Sequence, residues 1–143
     1  MESATLITDL IAKNAELVRS TASQKLGVTA NYDIEGVRWL DGFINGQHLA
    51  ASDEVKERLV QTLGSFLGEC IRKTYGGEWV DESGSWEIRF SQGNAAYPFT
   101  KVGKQLQNGP EDSVLSMFTA IPALFFAQIA VDTPRRKPWW KLW

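Results

Sequence analysis

Residues 63–90 have the sequence LGSFLGECIRKTYGGEWVDESGSWEIRF, and along them the apolar pattern changes from helical to alternating. The helical part extends back to Ser52, a candidate N-cap, and forward to Tyr75, just before Gly76-Gly77. Its broad apolar arc consists of Val55, Leu59, Leu63, Phe66, Leu67, Cys70 and Ile71. The alternating part puts Trp86, Ile88 and Phe90 on one face of a half-buried strand. A long helix leading directly into a sheet predicts an α+β fold.

Two further strands complete the predicted sheet. Residues 78–82 form the strand before the Ser83-Gly84 turn, and residues 95–99 form the strand after the turn at residues 92–94. Pro98 cannot donate a ladder hydrogen bond, so the third strand is at an edge or ends early. The pattern predicts a three-stranded antiparallel meander.

Helices precede and follow this meander. Apolar residues recur at helical spacing in residues 5–26, which end at Gly27, and they are Leu6, Ile7, Leu10, Ile11, Leu17 and Val18. A second helix runs from Ile34 to about Asn45, with Asp33 as N-cap and Gly46 as its end. After the meander we expect a short helix closed by Asn108-Gly109, then a last helix from Asp112-Ser113 that Pro122 kinks. The prediction is one core in a single domain of residues 1–133, followed by a tail of residues 134–143.

Gly64 and Gly68 lie four residues apart at one edge of the apolar arc. Each costs about 1 kcal/mol relative to alanine in a helix interior. The cost predicts a close approach of another backbone at this point, from a neighbouring helix or from the sheet.

The segment from Leu63 to Ser116 also carries a resemblance. Its motifs are the LGxxLGE helix, the GGxW turn at residues 76–79, a Trp-containing strand, and residues 98–113 with Pro98-Phe99 and Asn108-Gly109. Together they resemble small uncharacterised bacterial domains in which such a helix precedes a meander. The resemblance implies a bacterial source and an α+β fold, and it implies no particular activity.

Composition restricts the possible chemistry. With one cysteine, Cys70, and one histidine, His48, the chain can form no internal disulfide and no multi-Cys or His-rich metal site. We therefore expect no metal and no cofactor. No basic region precedes the first apolar residues, and the apolar run from Ala120 to Val131 is shorter than the ~20 residues of a membrane-spanning helix. The expected location is the cytoplasm.

Three residues are candidates for chemistry. Glu69 falls opposite the apolar arc, which predicts a solvated carboxylate near Arg72 and Lys73 and leaves a functional carboxylate as the alternative. His48 is placed in a loop between two helices, where it could act with Asp33, Glu35 or Asp41. Cys70 lies on the apolar arc and is predicted to be a core residue.

The C-terminal ten residues differ sharply from the rest of the chain. They hold four of its 15 basic residues and three of its six tryptophans, whereas the residues before them carry eleven basic and seventeen acidic side chains. The candidate binding residues are Arg135, Arg136, Lys137, Trp139, Trp140, Lys141 and Trp143. They could bind a protein partner, contact a membrane surface weakly, or fold back on the acidic body. The acidic body disfavours nucleic acid.

These observations predict a non-enzymatic protein-interaction module of an accessory, adaptor or immunity type. The adjacent Phe125 and Phe126 allow a homodimer through the C-terminal helix. Two alternatives remain open. One is a small hydrolase or transferase built around Glu69 and His48, and the other is a peripheral membrane protein tethered by the tail.

Overall fold

The computed structural model describes residues 2–126, with side chains from residue 5 onward. This part has an α+β fold in which helices precede and follow a three-stranded antiparallel sheet, as predicted. The helices are α1 (Glu2–Leu26), α2 (Ile34–Ala50), α3 (Asp53–Tyr75), α4 (Pro98–Asn108) and α5 (Val114–Ile121). The strands are β1 (Glu78–Glu82), β2 (Ser85–Arg89) and β3 (Ala95–Ala96). Buried residues from every one of these helices and from β2 and β3 form a single core cluster.

Helix α3 is the centre of this core. Ser52 caps it by accepting a 3.2 Å hydrogen bond from the Val55 amide, and it ends at Gly76, whose φ is +88°. Helices α1, α2 and α4 and strand β2 all pack on it. As a result, residues 63–71 are buried on every side of the helix, not only along the predicted arc.

The two glycines of α3 allow this enclosure; the predicted approach of another backbone is confirmed at Gly64, whereas at Gly68 the neighbour is a side chain. A Cβ on Gly64 would overlap the Phe99 ring and lie 3.0 Å from its Cα, so α4 approaches at backbone distance. A Cβ on Gly68 would overlap the indole of Trp79, which belongs to β1. The close neighbour at Gly64 is therefore a helix, and at Gly68 it is a side chain of the sheet.

The C-terminal end of helix α2 differs from the prediction. Asp33 caps it as predicted, accepting a 3.1 Å hydrogen bond from the Gly36 amide, but the helix does not end at Gly46. It continues through Gly46 to Ala50. A glycine lowers helix propensity by only about 1 kcal/mol, and the contact of His48 with α4 in the last turn offsets that cost.

The sheet has the order β1-β2-β3. Glu78 pairs with Arg89 and Trp79 with Ile88, and β3 adds Ile88 with Ala96. The predicted third strand of residues 95–99 is too long, because it stops at Ala96 and Pro98 begins α4. The N–H groups in the first turn of a helix have no intrahelical partner, so the N–H that proline lacks is not needed there. The fixed φ of proline also suits this position.

The C-terminal elements agree with the sequence pattern. Helix α4 ends at Gly109, whose φ is +80°, and Ser113 caps α5 by accepting a 3.1 Å hydrogen bond from the Ser116 amide. At Pro122 the helix changes to a π-helical turn, Pro122–Phe126. Phe125 and Phe126 pack on Phe90 there, with ring centroids 5.5 and 5.4 Å away.

We expect Gly68→Ala to lower the free energy of unfolding by about 1–3 kcal/mol, because the new methyl group displaces the Trp79 indole. Urea denaturation followed by circular dichroism measures this change. Gly46→Ala is the matched control, since a Cβ at Gly46 meets no atom within 4 Å. It should leave stability unchanged or raise it by up to about 1 kcal/mol. Equal stability of Gly68→Ala and wild type would contradict the packing account.

Candidate functional site

A cleft of about 1150 Å³ lies between the outer face of the sheet and helices α4 and α5. The segment from Asn94 to Tyr97, which contains β3, forms one side, and the last described residues, near Phe125, close one end. A cleft of this size suits a drug-sized ligand or a short stretch of polypeptide.

The wall that α5 contributes is apolar. Met117, Ile121 and Leu124 line it at helical spacing. Ile121 and Leu124 are buried in the body of the protein, and the half-buried Met117 supplies the accessible apolar surface of this wall.

The sheet contributes two carboxylates that share a single cation. Arg89 lies two residues from Glu87 on the same face of β2, and its guanidinium lies 2.8 Å from Glu82 and 3.1 Å from Glu87. The hydrogen bonds that Arg89 donates to Glu82 and Glu87 raise the pKa of Arg89. The three side chains form one ion-pair cluster along the cleft, and Glu87 within it is buried.

Helix α4 contributes the basic rim. Tyr97, Lys101 and Lys104 follow one another at spacings of four and three residues, which puts them on one helix face toward the cleft. Lys101 lies 3.6 Å from Asp112, and the hydrogen bond from Asn108 together with this cation lowers the pKa of Asp112. Lys104 has no ion pair within the described residues. This helix face therefore presents Lys104, a cation without an ion pair among the described residues, beside the exposed Tyr97.

The sequence predicted that Glu69 lies on a solvated helix face, and this prediction is wrong. Its relative exposure is 5%, because the Trp79 side chain of β1 covers the side of α3 opposite the arc. Its carboxylate accepts 2.8 and 3.1 Å hydrogen bonds from Arg72 and a 3.0 Å bond from the Trp79 indole. Burial alone would raise the pKa of Glu69, but the Arg72 and Trp79 hydrogen bonds outweigh it and lower that pKa. A carboxylate held ionised in this way connects α3 to β1.

His48 lies in the last turn of α2, not in a loop. Its Nδ1 is 2.8 Å from the Leu106 carbonyl oxygen, and its ring packs against Gly109, where an added Cβ would lie 2.9 Å away. The Glu69 carboxylate instead contacts Arg72 and Trp79, so the two candidates have no described partner in common. The hypothesis of an active site built from both gains no support from this arrangement.

The three acidic residues suggested as partners of His48 have other roles. Asp33 caps α2, and Glu35 lies 3.4 Å from Arg38. Asp41 accepts hydrogen bonds from the Ser113 hydroxyl at 2.5 Å and from Gln105 at 3.1 Å. Each therefore has a structural partner.

Gln105 is a buried residue that the sequence argument missed. Its amide nitrogen donates to Asp41 and Asn45, and its oxygen accepts a 2.8 Å bond from the Val114 amide. It thus joins α2, α4 and α5. The sequence did contain a signal for this role. Gln105 lies between Val102 and Leu106 on the apolar face of a helix, where a polar side chain needs buried hydrogen-bond partners.

Cys70 is a core residue, as predicted. It is fully buried, and its Sγ lies 3.9 Å from the Asn31 carbonyl oxygen. Burial raises the pKa of the thiol, which keeps it protonated and weakly nucleophilic.

The candidate binding residues of the tail, Arg135 to Trp143, lie outside the described residues, and their role stays a prediction. Within residues 2–126, no group of three or more His, Cys, Asp or Glu side chains is arranged to hold a metal ion. None of the helices in the described part is both long enough and apolar enough to cross a membrane.

Comparisons give no relative from which a function could be transferred. No family model, no curated protein and no solved structure matches this chain. The resemblance to small bacterial domains therefore stays a prediction, and the function has to be argued from the cleft and the surface.

We expect Glu69→Gln to lower the free energy of unfolding at neutral pH by about 1–3 kcal/mol, because hydrogen bonds to a charged group are lost. The folded pKa of Glu69 is below that of an unfolded glutamate, so its stabilisation is complete above pH ~4.3 and disappears as pH falls through the folded pKa. The difference between wild type and variant should therefore shrink in acid. Urea denaturation at several pH values measures it.

Glu57→Gln serves as the control on the same helix, because Glu57 is exposed and has no ion pair within the described residues. Its effect should stay within about 0.5 kcal/mol at every pH. A Glu69→Gln effect that is independent of pH would show that the carboxylate charge is not what stabilises the fold.

Proposed function

We propose that this protein is a non-enzymatic protein-interaction module that binds an extended segment of a partner protein in the cleft. The observation that carries the proposal is the combination of an apolar wall from α5, a sheet edge at β3 and an unpaired cation, Lys104, around one space. Each of these recognises a different feature of a polypeptide.

The sheet edge supplies the main-chain part of recognition. Strand β3 pairs with β2 on one side and is the last strand of the described sheet. An extended peptide can add to such an edge through its own backbone N–H and C=O groups. Ala95, the less buried of the two β3 residues, has a short side chain that leaves room for a neighbouring chain.

The side chains around the cleft define the chemistry of the partner segment. Glu82 and Glu87 share Arg89, and Lys101 is paired with Asp112, so Lys104 is the cleft cation without an ion pair among the described residues and is placed to attract an acidic residue. The wall of Met117, Ile121 and Leu124 favours an apolar residue beside it. The partner segment is therefore expected to combine an acidic and an apolar side chain.

Binding agrees with the state of the titratable groups better than catalysis does. Glu82 and Glu87 both accept hydrogen bonds from Arg89, and the carboxylate of Glu69 is held ionised away from the cleft. General acid or base catalysis needs a group that exchanges its proton near neutral pH. The hydrolase or transferase alternative has no observation in its favour.

The tail and the cellular setting are further parts of the proposal. Arg135 to Trp143 would act as a second recognition element for a protein partner, since buried Trp and Arg contribute strongly to interfaces. The setting we propose is the bacterial cytoplasm, in an accessory, adaptor or immunity-type role.

A display library of random decapeptides tests the cleft directly. Peptides selected by the full chain should be enriched in sequences with an acidic residue near an apolar one, with micromolar affinities. Lys104→Glu should reverse the charge preference, because it replaces the free cation by an anion. Enriched peptides should also compete with one another for a single site.

Lys25→Glu is the control, since Lys25 is exposed in the last turn of α1, which packs on α3 and away from the cleft. It should select the same peptides as wild type. Failure to enrich any peptide, or a preference that Lys104→Glu leaves unchanged, would rule out the proposed cleft function.

A further inference from the structure

Helix α1 has two apolar faces, and the fold uses one of them. Ile11, Ala15, Val18 and Ala22 are buried in the core. Leu6, Leu10 and Leu17 lie on the other side of the helix and are 68%, 55% and 54% exposed. The predicted single stripe of this helix is therefore wrong in part, because its leucines, unlike Ile11 and Val18, are more than half exposed.

The exposed leucines form a seam with the spacing of paired helices. From Leu6 the positions advance by four to Leu10, by three to Lys13 and by four to Leu17. Steps of four and three residues keep side chains on one line of contact between two helices. Lys13 is the single charged residue in this line, and its aliphatic stem can pack there while its ammonium turns to the flank.

Two charged side chains on one flank of the seam have no ion-pair partner within the described residues and could pair with a second molecule. Asp9 and Lys13 lie four residues apart, yet they form no ion pair with each other or with another described residue. Glu16, on the same flank, is occupied by Arg19 at 3.1 Å and by the Tyr32 hydroxyl at 3.0 Å. One acid and one base next to the leucines thus remain available.

The seam is complementary to itself when the helix direction is reversed. With a two-fold axis between residues 11 and 12, Leu6 of one copy lies opposite Leu17 of the other, and Leu10 lies opposite Lys13. A two-fold axis brings the same flank of both helices together, so Lys13 of each copy lies next to Asp9 of the other. Glu16 also falls on this flank near the other copy's Asp9, but its own Arg19 neutralises it. Every favourable contact then occurs twice.

We propose that the outer face of α1 is a homodimer interface in which two copies pair antiparallel through Leu6, Leu10 and Leu17 and through reciprocal Asp9–Lys13 ion pairs.

Other arrangements of this face are less favourable. A parallel pairing would put Lys13 against Lys13. An anionic membrane surface gains no net attraction from this face, because its acids Asp9 and Glu16 balance its bases Lys13 and Arg19. The interface is one helix from each copy, so its area is small and the dimer is expected to dissociate in the micromolar range. The proposal is independent of the cleft function.

Sedimentation equilibrium of the full chain tests the interface by charge exchange. Wild type should approach twice the chain mass of 16.0 kDa as concentration rises. Asp9→Lys and Lys13→Glu should each raise the dissociation constant at least about tenfold, because each creates two like-charge contacts. The double variant D9K/K13E should restore dimerisation, since the pairs re-form with exchanged signs. A monomeric wild type, or a double variant as weak as the single variants, would overturn the proposal.

Leucine substitutions and vesicles separate the remaining explanations. Leu10→Gln should dissociate the dimer, whereas Leu49→Gln, at an 85% exposed position of α2, should not. Unchanged helical circular dichroism shows that the variants remain folded. If wild type instead stays monomeric and sediments with phosphatidylserine vesicles in a Leu10-dependent way, the face binds lipid and the dimer proposal fails.

Discussion

The close approach of two aromatic side chains to Gly64 and Gly68 is the constraint on which the rest of this structure depends. Phe99 of α4 and Trp79 of β1 occupy the positions where a Cβ would stand on these glycines. Helix α3 can therefore be enclosed by other elements on all sides over residues 63–71. In a chain of this size, a fully enclosed helix gives one core that every other element shares.

The same approach explains why a carboxylate lies inside the protein. With the Trp79 ring resting on Gly68, its indole N–H comes within 3.0 Å of Glu69, and Arg72 supplies the opposite charge one helical turn away. A buried carboxylate without partners would be strongly destabilising, whereas here its hydrogen bonds orient β1 against α3. The outer face of the sheet is then free to form the cleft with α4 and α5.

Local signals in the sequence were sufficient for most of the fold. The caps at Asp33 and Ser52 and the helix end at Gly109 depend on residues within one turn, so they were predicted correctly. The errors at Gly46 and Glu69 arose because tertiary contacts decide both. A helix continues through a glycine when its last turn is held by another element, and an angular projection cannot show that a second layer covers the polar side.

The candidate site was less predictable for a related reason. Its residues come from β2, β3, α4 and α5, and no local pattern brings Arg89, Lys104 and Met117 together. The outer leucines of α1 were visible in the sequence as part of one helical repeat. Periodicity alone could not divide the apolar residues of α1 into a buried face and an exposed face, because that division depends on which of them pack on α3.

Enclosure of residues 63–71 also sets the order in which parts of the molecule open. Backbone amides in that stretch are hydrogen-bonded within the helix and covered by four elements, so deuterium reaches them only when those elements separate. Their hydrogen exchange therefore reports global unfolding. The outer turns of α1 are covered on one side, and their amides exchange through local opening at much lower free energy.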